Sequence, residues 1–186
     1  ARQDLELTDR HELVGGVGAP HRCGLGLGPG ERRGLGVALG AFGRHQWVIV
    51  DCLGLPLLSA VRGVLAAALP AWAPGMTVFA QVRPPTTTES CLATLAAEGV
   101  NRPLHKLDSV DRLLHERHLA FADLRRLVAA ELEVGLRQVG RRLDPALPVL
   151  LLADHGFRLA ADGRSFVHGG ASMLERVVPL LDLQPL

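Results

Sequence analysis

The chain has 186 residues, is 48% hydrophobic and carries a formal net charge of +1. This length and apolar content suffice for one sizeable core, so a single main domain is expected. Charges of both signs are spread along the chain and only 4% of the residues are aromatic, which excludes a basic stripe or a base-stacking surface of the kind that indicates nucleic-acid binding.

Residues 1–45 form a glycine-rich segment that we expect to be a linker, a hairpin or a poorly ordered region. Within it, residues 34–40 superficially resemble a dinucleotide-binding loop. Such a loop follows a strand and opens a helix. Because this one precedes the first clear strand, we reject the match and place the functional domain in residues 46–186.

Strands and helices alternate from residue 46 onward. Short apolar or β-branched runs predict strands at residues 47–50, 77–82, 104–107 and 149–153. Helical periodicity, prolines and capping residues predict helices at residues 55–69 and 86–98, a long helical pattern ending near 143, and a short last helix opened by Ser172. This alternation favours an α/β fold with a mostly parallel sheet and helices on both faces.

Secretion and membrane insertion are not indicated by the sequence. The first residues are charged rather than apolar. The longest uncharged stretch, residues 63–82, is divided by Pro70 and Pro74. The three cysteines are unpatterned, which favours a reducing compartment over a disulfide framework. We therefore expect a cytoplasmic protein without a membrane partner.

The most informative motif lies near the C-terminus, where Asp154, His155 and Gly156 directly follow an apolar run and His168 lies on the next loop. The carboxyl ends of strands are where open α/β sheets place their sites. Carboxylate and imidazole ligands together suit zinc, manganese or iron. The alternative is a turn that contains these residues only for backbone reasons, with His168 as an ordinary loop histidine.

Three further places carry side chains of the metal-ligand type. Asp51 follows the first predicted strand and the threonines at 86–88 follow the second. Asp111 and His115 are four residues apart and share one helix face. Each group also has a purely structural explanation: a loop or cap residue, a helix N-cap or a solvated pair on a helix.

The order and spacing of these motifs resemble the PglZ-type domains of the alkaline phosphatase superfamily. The resemblance covers about residues 47–179 and rests on the segments WVIVDCLG, PPTTTESC, DRLLH, LLLADHGF and HGGASMLERVVP. The last two segments match most specifically, whereas glycine is more usual where Cys52 stands. The resemblance implies an alkaline-phosphatase-like fold that is compact and has no large cap.

The same resemblance implies two divalent metal ions, zinc first and manganese second, with a threonine nucleophile between them. The residues implied for one ion are Asp51, Thr88, Asp154 and His155. The residues implied for the other ion are Asp111, His115 and His168. Thr88 is the implied nucleophile, and Thr87 is the alternative because a run of three threonines leaves the register open by one residue.

The activity implied by the resemblance is a metal-dependent phosphoesterase that cleaves a phosphate mono- or diester through a phospho-threonine intermediate. Association with other proteins of a phage-defence or signalling system is implied as well. Two alternatives stay open: a non-catalytic PglZ-like scaffold that binds a partner, and a metal-dependent phosphomutase of the same superfamily. A sulfatase is disfavoured because Cys91 lacks the Cys-x-Pro-x-Arg context.

Overall fold

A computed structural model describes residues 39–97, 104–116 and 119–186. Most of the glycine-rich segment predicted at residues 1–45 therefore lies outside the described residues. Its described end contains a short 3-10 helix, Gly40–Phe42. Leu39 and Phe42 are buried in the main core, so the last residues of this segment pack with the domain that follows.

Seven strands and five α-helices make up the regular structure of the described residues. The strands are β1 (Gln46–Val50), β2 (Trp72–Gln81), β3 (Leu104–Leu107), β4 (Val149–Ala153), β5 (Arg158–Leu159), β6 (Phe166–Val167) and β7 (Val177–Pro185). The helices are α1 (Leu58–Ala68), α2 (Thr88–Ala97), α3 (Ser109–Glu116), α4 (Phe121–Gly140) and α5 (Met173–Arg176).

The main sheet has five strands in the order β2-β7-β4-β1-β3. Strand β1 pairs in parallel with β3 on one side and with β4 on the other. Every residue of β4 and all but the first residue of β1 are buried. Such uninterrupted apolar runs are typical of parallel strands covered on both faces, and the strands predicted at these positions are confirmed.

The prediction of a mostly parallel, alkaline-phosphatase-like sheet is wrong. Strand β7 lies between β4 and β2 and runs antiparallel to both, so the described sheet is mixed. A parallel connection needs a crossover of a dozen or more residues, usually a helix. The segment between β4 and β7 instead forms the small antiparallel pair β5–β6 and the four-residue helix α5, so the chain does not cross the sheet in a helix.

The helices confirm part of the predicted pattern. The long periodic stretch ending near residue 143 is two helices, α3 and α4, rather than one. Most of the apolar stripe predicted from residue 121 to residue 143 is buried, at Leu124, Val128, Leu132, Leu136, Val139 and Leu143. Phe121, the first residue of that stripe, is 41% exposed. Helix α4 packs against α1 and α3. Among the described residues, no helix combines the length and apolar character needed to cross a membrane.

Candidate metal centre

The parallel register of β1 and β4 brings two carboxylates together. Val50 is the register partner of Ala153, so the residues that follow them, Asp51 and Asp154, leave the sheet side by side at its carboxyl edge. Both are buried, with 5% and 1% of their surface exposed, and His155 is 1% exposed. Three buried polar residues at one sheet edge require mutual contacts or a bound ion.

These three residues form the first cluster: Asp51, Asp154 and His155. His155 Nε2 lies 3.2 Å from Asp51 Oδ1 and 3.8 Å from Asp154 Oδ2. Asp51 Oδ1 is buried and has no partner with hydrogen-bond geometry. The ligand atoms of all three side chains lie within 4.8 Å of one another, so the cluster could hold a metal ion.

Groups of opposite charge lie next to each other in the first cluster and beside it. Burial alone would raise the pKa of Asp51, but His155 and Lys106 outweigh it and hold that pKa well below its usual range. Lys106 Nζ lies 2.7 Å from Asp51 Oδ2. Burial raises the pKa of Asp154. Burial would lower the pKa of His155, but the contact with Asp51 and the charge of Asp154 raise it.

Thr87 and Thr88 make different contacts. Thr88 is the first residue of α2, and its hydroxyl donates a hydrogen bond of 2.7 Å to Asp154 Oδ2. Thr87 Oγ1 instead contacts Ser90, donating to its hydroxyl at 3.3 Å and accepting from its backbone N–H at 3.4 Å, as a helix-capping side chain does. The structure therefore directs Thr88, and not Thr87, at the first cluster; its role as a nucleophile stays a prediction.

A second cluster joins Asp111 and His115 of α3 to His168, which follows β6. Both imidazole Nε2 atoms lie 3.2 Å from Asp111 Oδ1, and the two Nε2 atoms are 2.9 Å apart. Asp111 Oδ1 is buried without a hydrogen-bond partner. The two imidazole nitrogens and the carboxylate oxygen therefore converge on one point. The i,i+4 pair is therefore not an isolated solvated pair.

The two clusters adjoin each other. The rings of His155 and His168 are stacked with their centroids 4.5 Å apart. All seven residues implied by the resemblance, including Thr88, therefore come together at one edge of the sheet. Their proximity is a property of the structure, whereas metal binding by them stays a prediction.

Two further residues lie in the site, Lys106 and Cys52, and no sequence motif assigned them a role there. Lys106 is the ion-pair partner of Asp51. The sequence feature that could have indicated this role is a lysine within the short strand β3, which pairs with β1. Cys52 belongs to a potential metal-binding group with Asp111 and His168. Its thiol is buried, and burial together with the surrounding carboxylates raises its pKa well above the usual range. The sequence feature that could have indicated a role for Cys52 in the site is its position directly after Asp51.

The buried side chain of Thr86, which is 2% exposed, connects the loop before α2 with the loop that follows His168. Its hydroxyl donates to Gly170 O and accepts from Gly169 N–H, both at 3.1 Å. The threonine loop and the loop that carries His168 are thereby joined. The predicted capping box of α5 is present, and its buried Glu175 also accepts from Gly170 N–H at 2.9 Å.

The substitution Thr86→Val tests this link. Valine keeps the shape but leaves Gly170 O and Gly169 N–H without their partner, so we expect a loss of roughly 2 kcal/mol in the free energy of unfolding. Urea denaturation measures it. The control is Thr94→Val, which removes one bond to Ser90 O inside α2 and should cost about 1 kcal/mol or less. Equal free energies of unfolding for the two variants would show that the hydrogen bonds of Thr86 contribute little to the stability of the protein.

Comparison with known proteins does not identify the chain. The models of known protein families give no match, and neither do curated protein sequences.

Proposed function

We propose that this protein is a metal-dependent phosphoesterase in which Thr88 is the nucleophile. One observation carries the proposal: the Thr88 hydroxyl lies at the start of α2 and 2.7 Å from Asp154 Oδ2, beside two adjoining clusters of metal-ligand side chains. The motif resemblance to PglZ-type domains supports the same activity. A phosphate mono- or diester is the proposed substrate.

Two divalent ions fit the donor atoms of the site. Asp51, Asp154 and His155 would hold one ion together with the Thr88 hydroxyl. The residues that would hold the second ion are Asp111, His115 and His168. Zinc is the first choice and manganese the second, because mixed carboxylate and imidazole ligands suit both. When bound, such ions lower the pKa of a nearby hydroxyl and balance the charge of a phosphate.

The residues of the chain supply the rest of the chemistry. The first-turn backbone N–H groups and dipole of α2 favour a phosphate next to Thr88. Thr88 Oγ1 attacks phosphorus and gives its proton to Asp154 Oδ2, while the bond from phosphorus to the leaving oxygen breaks. That proton then passes to the leaving alkoxide, which departs as the alcohol. Water then cleaves the phospho-threonine, which restores the hydroxyl and releases phosphate, or a phosphate monoester when the substrate is a diester.

The experiment that tests the proposal combines metal content with hydrolysis. Elemental mass spectrometry after zinc loading should find about two ions per chain in the wild type and about one in His155→Ala. Aryl phosphate and aryl phosphodiester hydrolysis is assayed on the same samples. Folded protein with bound metal but no turnover of either ester would favour the partner-binding scaffold. Phosphoryl transfer within one substrate without net release would favour the phosphomutase, and folded protein that binds no metal would overturn the proposal.

Metal affinity at the first cluster should rise with pH. His155 must lose its proton to bind an ion, and its pKa in the metal-free protein is raised. Protons therefore compete below that raised pKa, and affinity increases as pH passes through it. Asp51, whose pKa is lowered, stays ionised over the same range and adds no dependence. Zinc competition titrations between about pH 5.5 and 8 measure the effect, and a flat profile would contradict it.

A further inference from the structure

The residue after Asp51 has a costly backbone conformation. Cys52 has a φ of 61° and is the only described non-glycine residue with positive φ. This left-handed region disfavours side chains with a Cβ, and glycine adopts it without that cost. Its backbone N–H donates to Asp154 Oδ1 at 3.0 Å, so the segment is fixed against the first cluster. A cysteine at such a position indicates that its side chain has a use.

The direction of the side chain suggests that use. Cys52 is fully buried, and its Sγ lies within 4.8 Å of ligand atoms of both Asp111 and His168. Asp111 Oδ1 is itself buried and has no hydrogen-bond partner. The hydrogen bond from this thiol to Gly156 O is long, at 3.9 Å. Cys52 is also part of the buried apolar core, so its side chain contributes to packing as well as lying near these ligand atoms.

We propose that Cys52 Sγ is a ligand of the metal ion in the second cluster, in the group that it forms with Asp111 and His168. His115, whose Nε2 lies 3.2 Å from Asp111 Oδ1, would be the fourth ligand. This set of one sulfur, one oxygen and two nitrogen donors is typical of four-coordinate zinc. Thiolate ligation disfavours manganese and magnesium, which prefer oxygen donors. The second cluster is therefore a zinc site, whereas the first, with two carboxylates and one imidazole, accepts manganese as well. The inference rests on the proposed function only in that a metal binds at the second cluster.

Cobalt(II) binding tests the inference without using activity. A cobalt–thiolate bond gives an intense charge-transfer absorption in the near ultraviolet, which oxygen and nitrogen ligands do not give. We expect this absorption in the wild type and its loss in Cys52→Ser and Cys52→Gly. Cys91→Ser is the matched control, because Cys91 is also a buried free cysteine but belongs to no metal-ligand group found among the described residues. Persistence of the absorption in Cys52→Ser would overturn the inference.

Zinc affinity gives the second readout. Cys52→Gly should bind the second zinc ion at least ~10-fold more weakly, while manganese binding at the first cluster changes little. Glycine adopts positive φ freely, which offsets part of the packing lost with the buried side chain of Cys52. Urea denaturation of the metal-free variant shows that it is folded, so lost affinity would not reflect misfolding. Unchanged zinc affinity would overturn the inference.

The inference and the proposed function fail separately. Cobalt–thiolate absorption without ester hydrolysis would retain the zinc ligand and reject the phosphoesterase. Hydrolysis without that absorption would retain the enzyme and reject Cys52 as a ligand. Absence of cobalt and zinc binding in the folded protein would reject both.

Discussion

Thr88→Ala is expected to reduce phosphate ester hydrolysis by ~1,000-fold or more. The substitution removes the proposed nucleophile, whose hydroxyl lies 2.7 Å from Asp154 Oδ2. Metal content should stay near that of the wild type, because carboxylate and imidazole groups supply the remaining ligands. Steady-state kinetics and elemental analysis on the same preparation measure both quantities. Thr88→Ser, which keeps a hydroxyl, should retain part of the activity.

The neighbouring Thr87→Ala is the matched control for this prediction. Thr87 contacts Ser90 at the start of the helix, so its loss should cost about 1 kcal/mol of stability and leave turnover nearly unchanged. The reverse result, with activity lost in Thr87→Ala and kept in Thr88→Ala, would assign the nucleophile to Thr87. Activity retained in both variants would reject a threonine nucleophile.

Gly156→Ala should have the largest effect on stability. A Cβ at Gly156 would overlap with Leu174 O and lie 3.2 Å from Gly54 Cα, and both neighbours are backbone atoms. The loop after His155 is also bound to this part of the chain, because Gly156 N–H donates to Glu175 O at 2.9 Å. The added methyl group must therefore move the backbone, and we expect a loss of about 3–5 kcal/mol.

Chemical denaturation and zinc titration of Gly156→Ala measure this effect. The displaced loop carries His155, so metal affinity at the first cluster should fall along with stability. Gly63→Ala is the control: a Cβ there meets nothing within 4 Å, and Gly63 lies inside α1, where alanine should stabilise by about 0.5–1 kcal/mol. A stable Gly156→Ala variant with wild-type zinc affinity would show that the backbone can move away from the added methyl group at little cost in free energy.

The sequence was sufficient to predict β1 and β4, because uninterrupted apolar runs followed by an aspartate are a strong local signal. It did not reveal β7, since Pro179 and Pro185 make residues 177–185 a poor match to strand patterns. The sheet was consequently predicted as mostly parallel. The pair β5–β6 was also missed, because each strand has only two residues.

The candidate site was easier to predict than the fold around it. The ligand-type residues follow strands or open helices, and parallel register is enough to bring Asp51 and Asp154 together. Lys106 and Cys52 could not be placed in the same way. The direction of the Lys106 side chain depends on the pairing of β3 with β1, and that of Cys52 depends on a positive φ. Both are properties of the folded backbone rather than of a local pattern.

The ion pair between Lys106 and Asp51 has a consequence for the order of events in maturation. Lys106 lies at the edge of the sheet, and 43% of its side chain is exposed. Its ammonium group therefore neutralises the buried carboxylate of Asp51, and it can move into solvent without crossing the core. Many small metal-dependent domains stay unfolded until their ion arrives. Here the newly made chain should fold first, with the lysine covering the buried charge. Under the proposed function, binding of the metal ion at Asp51 would then replace the lysine ammonium group with the ion in a domain that is already folded.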